Sequence, residues 1–352
     1  MFFQQVFSSL RAAFVLSALP LTLIGVLPTS AKAANLNFDN IYVFGDSLSD
    51  DGNVFKASGN TFPPLPYYQG RFSNGPVWVE QLAPLLGLQP NPNTNFAFGG
   101  ATTGTDNTLN TSFQTPLPIT LPGLQQEINS FTAPLKAANQ SADPNALYIV
   151  WAGANDYLSN TSSFKPFGQP NIPVKNLSDA VTALAGVGAK KIMVVNLPDL
   201  GEIPLTVGSP LSEPLDTLTK AHNSALAATL NGLSQTLGSD VNIIPFDINS
   251  LLSNYRKSPE NFGLTNVTAP CFNQTTSTVC ANPNQYTFWD ELHPTTTVDT
   301  VIAESAYEVL SVPEPSDGLA TSAFGACGAF LVLKRKQRGA QQYGEIRGHR
   351  TP

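Results

Sequence analysis

The fold is indicated most clearly by one segment near the start of the chain, Ile41-Tyr42-Val43-Phe44-Gly45-Asp46-Ser47-Leu48. An apolar run ends there at a glycine and continues into a polar turn, as a buried strand does when it leaves a sheet. Three more apolar runs and one shorter candidate strand follow, at 146–151, 191–195, 241–246 and 95–98. Continuously apolar strands separated by helical periodicity predict a parallel sheet that is covered on both faces.

The intervals between these strands carry apolar side chains at helical spacing. The clearest case is the amphipathic segment 215–233, whose apolar stripe also contains His222. Further helices are predicted at 77–86, 121–135, 177–186 and 295–310, and long polar loops at 56–76, 102–120, 158–176 and 259–287. We therefore expect one α/β domain over 34–312, with its functional groups beyond the carboxyl ends of the strands.

The composition excludes several functional classes. Of the 352 residues, 42% are hydrophobic and only 12% are charged, which does not fit a disordered acidic chain or a coiled coil. The segment 34–312 carries 10 Lys and Arg against 22 Asp and Glu, so its surface repels phosphate backbones and no nucleic-acid partner is expected. With three Cys and three His in the whole chain, a zinc site is not expected either.

Ser47 is the candidate nucleophile. A serine on a tight turn between a strand and a helix presents its hydroxyl and its own N–H group to the same point, as acyl transfer requires. The alternative is an ordinary helix cap, since Asp46 and Ser47 are both good N-cap residues. A calcium loop is excluded because the third position of such a loop, counted from Asp46, is Leu48.

Few residues are available as the base that a serine nucleophile needs. Within 34–312 the histidines are His222 and His293. His222 lies on the apolar stripe of a predicted helix, so a core or capping role is expected for it. His293 follows Asp290 by three residues, and this carboxylate can accept a hydrogen bond from the imidazole and fix its tautomer. The alternative is a purely local turn, but the scarcity of histidine favours catalysis.

Two further turns offer donors for an oxyanion. The strand at 146–151 is followed by the small-residue turn Gly153-Ala154-Asn155-Asp156, and the segment 95–98 is followed by Gly99-Gly100. A glycine N–H group, the Ser47 N–H group and the Asn155 side chain would together form a three-donor oxyanion hole. Asparagine is also common in turns, so a structural role is the alternative for Asn155.

Four short motifs, in this order, resemble those of the GDSL esterases and lipases, also called SGNH hydrolases. They are Gly45-Asp46-Ser47-Leu48, Gly99-Gly100-Ala101, Gly153-x-Asn155-Asp156 and Asp290-x-x-His293. The segment 70–80 also resembles the one that follows the first motif in the branch containing bacterial haemolysin-type lipases and plant GDSL lipases. The likeness covers about 40–310, which is nearly the whole predicted domain.

The resemblance implies a flavodoxin-like three-layer α/β/α sandwich with a mostly parallel sheet, and hydrolysis of carboxylic esters. It implies that Ser47 is the nucleophile, that His293 is the general base and then the acid, and that Asp290 orients His293. It further implies that Gly100 and Asn155 donate to the oxyanion with the Ser47 N–H group, and that no cofactor or metal takes part. The substrate is expected to be a small-molecule or lipid ester, and the aromatic loop 62–68 is a candidate wall of an acyl groove.

The two ends of the chain are predicted to be sorting signals. An apolar run at 12–27 is followed by Ala31-Lys32-Ala33, which fits the small-x-small rule of signal peptidase, so 1–33 is a predicted signal peptide. The segment 313–336 passes from Pro-Glu-Pro through an apolar stretch to a basic cluster, and it resembles the PEP-CTERM sorting tail of bacterial exported proteins. Such a tail implies transient membrane association and partners in the export and tail-processing machinery, although the polar extension 337–352 departs from the pattern.

Export implies a secreted or cell-envelope protein in an oxidising compartment. A disulfide between Cys271 and Cys280, just upstream of Asp290, is therefore predicted. Cys327 lies in the apolar part of the tail and is expected to be unpaired.

The leading hypothesis is an exported serine esterase or lipase. One alternative is an acyltransferase of the same fold, because an acyl-enzyme can pass its acyl group to an alcohol instead of water. The other alternative is a non-catalytic envelope protein that binds carbohydrate, which would have no use for the complete set of Ser47, Asn155, Asp290 and His293. A nucleotide-binding module is disfavoured because the first turn lacks a glycine-rich phosphate cradle.

Overall fold

The computed structural model of the protein describes residues 37–111, 120–158 and 166–311. The predicted signal peptide 1–33, the predicted sorting tail 313–336 and the extension 337–352 lie outside the described residues. Among the helices of the described ranges, none combines the length and the apolar character that crossing a membrane requires.

A parallel sheet of four strands lies at the centre of the described domain, in the spatial order β1-β2-β3-β4. The strands are β1 Ile41–Gly45, β2 Leu147–Trp151, β3 Lys191–Val195 and β4 Asn242–Phe246. Gly45 is in register with Trp151, and Val195 with Phe246, so the carboxyl ends of the strands meet at one edge. The four predicted apolar runs are confirmed as the strands of this sheet.

Helices cover both faces of the sheet. One face packs against α2 Trp78–Leu85 and α7 Thr296–Ser311, and the other against α3 Leu124–Ala137, α4 Asn171–Gly186 and α5 Ser212–Thr236. The remaining α-helices are α1 Asn53–Ala57 and α6 Ile248–Lys257. Ile41 and Val43 point into the core beneath α2 and α7, whereas Tyr42 and Phe44 point towards α3 and α4. Because both of their faces are buried, β1, β2 and β3 are apolar at successive positions, whereas Pro245 in the edge strand β4 is exposed. The predicted three-layer α/β/α architecture is confirmed.

Two helices differ from the sequence prediction. Helix α4 begins at Asn171, whereas 177 was the predicted start, and Pro173 is tolerated because it lies in the first turn, where N–H groups have no helical partner. Helix α6 was not predicted, although its N-cap residue Asp247 accepts a hydrogen bond from Ser250 N at 3.0 Å. An aspartate directly after a strand, at a position where its side chain can accept from the backbone N–H three residues on, is the capping signal that points to this helix.

The segment 95–98 runs beside β1 but forms only an isolated parallel bridge between Asn95 and Val43. Phe96 N donates to Val43 O at 2.7 Å and Phe98 N donates to Gly45 O at 3.0 Å. The predicted strand thus lies at the edge of the sheet beside β1 as an irregular fifth segment. Its pairing is interrupted because the Asn95 side chain accepts from Ala97 N at 3.0 Å.

The predicted loop 259–287 contains short strands. A parallel pair joins β5 Asn266–Pro270 to β8 Tyr286–Phe288, and a small hairpin joins β6 Phe272–Asn273 to β7 Thr278–Val279. A disulfide between Cys271 and Cys280, with an S–S distance of 2.06 Å, closes this hairpin. We call residues 271–280 the disulfide hairpin; it leads through β8 to the loop that carries Asp290 and His293.

Candidate active site

Ser47 lies directly beyond the carboxyl end of β1, at the edge where the parallel strands end. The strand before it has to pass very close to β2, since a Cβ atom at Gly45 would lie 2.1 Å from Trp151 O. Only glycine permits this approach, and it places the next turn beside the end of β2. Ser47 is therefore positioned by the pairing of the two strands as well as by its own turn.

Asp46 organises the turn around Ser47. Its backbone carbonyl accepts hydrogen bonds from Ser49 N and Asp50 N, both at 3.0 Å, and its carboxylate accepts from Leu48 N at 3.0 Å. Burial, which outweighs the hydrogen bond from Leu48, raises the pKa of Asp46 to about 7. The backbone on either side of Ser47 is thereby held in place.

His293 lies within hydrogen-bond reach of the candidate nucleophile. The distance from His293 Nε2 to Ser47 Oγ is 2.8 Å, although the two residues are 246 positions apart in the chain. His293 is 8% exposed, and its ring lies 5.2 Å from the Phe72 ring, centroid to centroid. The loop that follows β8 therefore brings an imidazole to the end of β1.

Asp290 completes a chain of hydrogen bonds. The Nδ1 atom of His293 lies 2.9 Å from Asp290 Oδ1 and 2.8 Å from Asp290 Oδ2. Oδ1 also accepts from Leu292 N at 2.8 Å and His293 N at 2.7 Å, and Oδ2 accepts from the Tyr67 hydroxyl at 2.6 Å. Burial alone would raise the pKa of Asp290, but His293 and these donors outweigh burial and the pKa is lowered.

The glycine turn after 95–98 lies beside the turn of Ser47. Gly99 N donates to the Asp50 carboxylate at 2.8 Å, so of the two glycines it is Gly100 whose N–H group has no acceptor among the described residues. Gly100 has a φ of 79°, and a Cβ atom there would lie 2.6 Å from Asn107 Oδ1. The turn therefore requires glycine at this position and leaves a backbone donor uncovered.

The turn after β2 is joined to the glycine turn. The Asn155 side chain donates one N–H to Ala101 O at 3.0 Å, which leaves the second hydrogen of its amide free for another acceptor. The next residue, Asp156, accepts from Thr103 N at 2.8 Å and from Thr103 Oγ1 at 2.6 Å. These contacts bring Asn155 to the same edge of the sheet as Ser47 and His293, and all three line one cleft.

The cleft is open and mainly apolar, with an empty volume of about 770 Å³. Its apolar wall includes Leu158, Leu200, Ile203, Leu252, Leu292 and Ile302. The prediction that the loop 62–68 lines this groove is wrong, because Tyr67 packs beneath Asp290 and Leu65 is 88% exposed. Residues spread over several chain segments form the wall instead, and no single sequence stretch identifies it.

His222 is confirmed as a core residue. It is fully buried, and its Nδ1 lies 2.8 Å from the Tyr157 hydroxyl. Burial lowers the pKa of His222 to about 4. In the described ranges, no three His, Cys, Asp or Glu side chains are grouped as they would be around a metal ion.

Several residues that shape the site carry no motif in the sequence. Glu127 on α3 is buried and accepts from Gly45 N at 2.8 Å and from Phe98 N at 3.2 Å, so it joins the nucleophile strand to the segment before the glycine turn. The Tyr67 hydroxyl donates to Asp290, and the Gln274 amide donates to the Tyr67 oxygen. An acidic residue on the buried face of a predicted helix was the one available signal, and it applied to Glu127.

The fold and the site define a class of protein: an α/β/α sandwich in which a hydroxyl, an imidazole and a carboxylate form one hydrogen-bonded chain at the carboxyl edge of a parallel sheet. The model of the GDSL-like lipase/acylhydrolase family matches residues 41–306. The chain belongs to this family, and it is an enzyme that acts on ester bonds.

Among the known proteins similar to this chain are one named as an acyltransferase and one named as an esterase. It is 30% identical to the phosphatidylcholine-sterol acyltransferase of Aeromonas hydrophila, over 81% of this chain and 94% of that protein. It is 29% identical to the esterase EstA of Pseudomonas aeruginosa, over 93% of this chain but only 56% of that protein. Among solved structures, an inhibitor-bound aryl esterase of M. smegmatis is 18% identical, covers 76% of this chain and 96% of its own, and has a TM-score of 0.39.

Proposed function

We propose that the enzyme hydrolyses carboxylic acyl esters through an acyl-enzyme formed on Ser47. The observation that carries the proposal is the continuous chain of hydrogen bonds from Ser47 Oγ through the His293 ring to Asp290, with distances of 2.8 Å on both sides of the imidazole. Because Asp290 accepts from Nδ1, the favoured tautomer leaves Nε2 as an acceptor for the serine proton. The three residues thus fit the roles of nucleophile, base and orienting carboxylate.

In the first half of the reaction, Ser47 Oγ attacks the ester carbonyl carbon while His293 Nε2 takes the hydroxyl proton. The tetrahedral intermediate collapses when the alcohol oxygen leaves with the proton from His293. In the second half, His293 takes a proton from water as that water attacks the acyl-enzyme, and Ser47 regains its proton as the carboxylic acid is released. Asp290 stabilises the imidazolium in both halves.

The negative charge on the carbonyl oxygen needs donors that are already in place. The N–H groups of Ser47 and Gly100 and the second N–H of the Asn155 amide are proposed for this role. The bond from Asn155 to Ala101 O holds the amide still before substrate arrives. A donor that does not have to reorganise during the reaction stabilises the transition state more effectively than water does.

An acyltransferase is the second candidate function. It is favoured by the similarity to a protein named phosphatidylcholine-sterol acyltransferase, of which this chain covers 94%. The apolar wall of the open cleft supports an acyl chain as the occupant, and its openness leaves room for an alcohol acceptor. In this alternative the alcohol takes the place of water in the second half-reaction, and the residues keep their roles.

We also propose that the enzyme is exported and that its C-terminal segment holds it transiently at the membrane. The proposal is supported by the signal-like sequence of 1–33 and by the passage from Pro-Glu-Pro to a basic cluster in 313–336. The cell envelope or the medium is then the place of action, with lipid or other small-molecule esters as substrates.

The central test is hydrolysis of p-nitrophenyl esters from acetate to palmitate by the wild type and by Ser47→Ala. We expect Ser47→Ala to lower kcat by roughly 10⁴-fold or more, since the whole covalent path is lost. Ser130→Ala, which removes an exposed serine hydroxyl on α3, is the matched control and should retain full activity. Turnover by a folded Ser47→Ala variant at the wild-type rate would exclude the acyl-enzyme mechanism.

The same assay grades the oxyanion donors. Asn155→Ala should lower kcat by about 10²–10³-fold with little change in KM, because the donor acts mainly in the transition state. Asn145→Ala, on an exposed turn, is its control. A second assay, with hexanol added, distinguishes the two functions by their products. Free acid as the main product indicates hydrolysis, whereas hexyl ester indicates acyl transfer.

A further inference from the structure

We propose that Tyr67 is a positioning residue for the reaction: it fixes Asp290, and through Asp290 the His293 ring, while Gln274 of the disulfide hairpin holds Tyr67 itself. The inference rests on the Ser47–His293–Asp290 mechanism proposed above and adds the residues that keep its carboxylate in place. Neither Tyr67 nor Gln274 belongs to a sequence motif that points to catalysis.

The contact between Tyr67 and Asp290 is short and buried. The Tyr67 hydroxyl donates to Asp290 Oδ2 at 2.6 Å, and the two residues are 7% and 2% exposed. The other carboxylate oxygen, Oδ1, already accepts two backbone N–H groups of its own loop. Tyr67 is thus the donor that fixes Oδ2, which also lies 2.8 Å from His293 Nδ1.

The direction of the Tyr67 hydroxyl hydrogen is determined by Gln274. The Gln274 side-chain amide donates to the Tyr67 oxygen at 2.6 Å, so this oxygen is an acceptor on that side. A phenol has a single hydrogen, and it is left to point at Asp290. Burial and the neighbouring charges of Asp290 and Glu291 raise the pKa of Tyr67, so the hydroxyl stays protonated.

The Tyr67 ring is held by aromatic packing on three sides. Its centroid lies 5.7 Å from that of Phe272, 6.3 Å from that of Trp289 and 6.4 Å from that of Phe72, and all three pairs are edge-to-face. Phe272 belongs to the disulfide hairpin and Trp289 immediately precedes Asp290. The ring therefore fills the space between the hairpin and the loop of the proposed base.

The disulfide hairpin and the loop of Asp290 are also joined through the backbone. Cys271 N donates to Phe288 O at 3.0 Å, and Phe272 N donates to Trp289 O at 2.6 Å. Gln274 is consequently presented to Tyr67 at a fixed distance from Asp290. Because Tyr67 does not line the substrate cleft, it affects the reaction through Asp290 and not by touching the ester.

The test compares Tyr67→Phe with the wild type on p-nitrophenyl butyrate. Tyr67→Phe keeps the ring and removes only the hydroxyl, and we expect kcat to fall about tenfold with KM changed less than about twofold, as for the loss of one charge-assisted hydrogen bond. Tyr68→Phe, which removes a neighbouring, partly exposed hydroxyl, should behave as the wild type. Equal kcat values for Tyr67→Phe and the wild type would overturn the proposal.

A double-mutant cycle tests whether Tyr67 acts through Asp290. In an Asp290→Ala background, adding Tyr67→Phe should cause no further loss of kcat, because the acceptor of its hydrogen bond is gone. A further tenfold loss in that background would mean that Tyr67 acts by another route, and would overturn the inference. This non-additivity is a readout that a general loss of packing would not produce.

Gln274→Ala is a second variant that spares the core, since Gln274 is exposed. It should lower kcat about threefold, because the Tyr67 hydroxyl loses the donor that orients it; an unchanged kcat would remove Gln274 from the proposal. Ser47→Ala distinguishes failure of the proposed mechanism from failure of the positioning role of Tyr67. If Ser47→Ala retains activity the proposed mechanism fails, whereas an inactive Ser47→Ala beside a fully active Tyr67→Phe overturns the positioning role alone.

Discussion

Single buried carboxylates hold the turns of the site against each other. Asp50 accepts from the N–H groups of Gly52, Asn53 and Val54 at its own helix and from Gly99 in the glycine turn. Glu127 joins β1 to the segment before that turn in the same way. A backbone donor buried without a partner is costly, so each carboxylate both satisfies its donors and fixes the distance between two turns.

A third buried carboxylate, that of Asp46, leads us to predict that the stability of the fold depends on pH. Burial raises the pKa of Asp46 from 3.8 to about 7, so the folded protein binds this proton more tightly than the unfolded chain does. Protonation of Asp46 therefore stabilises the folded state. This stabilisation is fully present below pH 3.8 and is lost as the pH rises through about 7. Asp46→Asn cannot ionise, and its free energy of unfolding should therefore increase relative to the wild type between about pH 4 and pH 7 and stay at a constant difference above that.

Urea unfolding followed by tryptophan fluorescence at several pH values measures this difference. Asp179→Asn, at an exposed position on α4, is the control and should follow the wild type. Parallel pH profiles for Asp46→Asn and the wild type would contradict the raised pKa of Asp46.

At the scale of elements, the site is a meeting of strand ends and loops. The turn after β1 carries Ser47, the turn after β2 carries Asn155, and the loop after β8 carries Asp290 and His293. The in-register parallel strands β1 and β2 end at one edge, which brings Ser47 and Asn155 together. Strand β8 pairs with β5 outside this sheet, so its loop reaches the same edge through separate packing. The disulfide hairpin adds a covalent closure just before the last of these loops.

The hairpin makes its own prediction. Replacing both Cys271 and Cys280 by serine should lower the free energy of unfolding by about 2–3 kcal/mol, because the closed loop no longer restricts the unfolded chain. It should also lower kcat, since Gln274 is carried by this hairpin. Urea unfolding and kcat, each measured with and without a reductant, check the effect.

The double variant provides its own control, since a reductant should leave it unchanged while bringing the wild type towards it. Wild-type protein whose Cys271–Cys280 bond has been reduced, as shown by thiol counting, but which keeps its stability and kcat would contradict the prediction.

At the scale of the whole molecule, an acidic surface surrounds an apolar cleft. The segment 34–312 carries 22 acidic and 10 basic residues, and acidic residues still outnumber basic ones at the surface although seven of the 22 are buried. The cleft beside Ser47 is lined mainly by aliphatic side chains. The exterior therefore repels polyanions, while the cleft favours the hydrocarbon part of a neutral ester. Electrostatics and apolar burial thus act on different parts of the encounter with substrate.

The export proposal also belongs to this scale. Expression of the full chain in a bacterial host with a functional secretion pathway should yield mature protein outside the cytoplasm that begins at Ala34, because Ala31-Lys32-Ala33 precedes the predicted cleavage point. N-terminal sequencing after cell fractionation is the measurement. Ala33→Lys, which removes the small residue at the cleavage point, should block processing, and cytoplasmic full-length wild-type protein would contradict export.

Patterns in the sequence predict the strands, most of the helices and the residues proposed for the chemistry. Apolar runs indicate buried parallel strands because both faces of such strands need hydrophobic side chains. Ser47 and His293 can be recognised in the sequence because one follows a glycine turn and the other is one of very few histidines. The sequence pattern does not predict helix α6 or the early start of α4, because capping and first-turn chemistry stabilise a helix there in segments whose composition is typical of a loop.

The surroundings of those residues are formed by contacts between segments that are distant in the chain, and no sequence pattern predicts them. Tyr67 is hydrogen-bonded to Asp290, 223 positions away in the chain, and Glu127 to Gly45, 82 positions away. No periodic pattern in the sequence predicts either contact. The wall of the cleft is assembled from separate loops in the same way. Hydrogen bonds and apolar contacts between distant segments depend on where each loop comes to rest, and that position results from the packing of the whole domain.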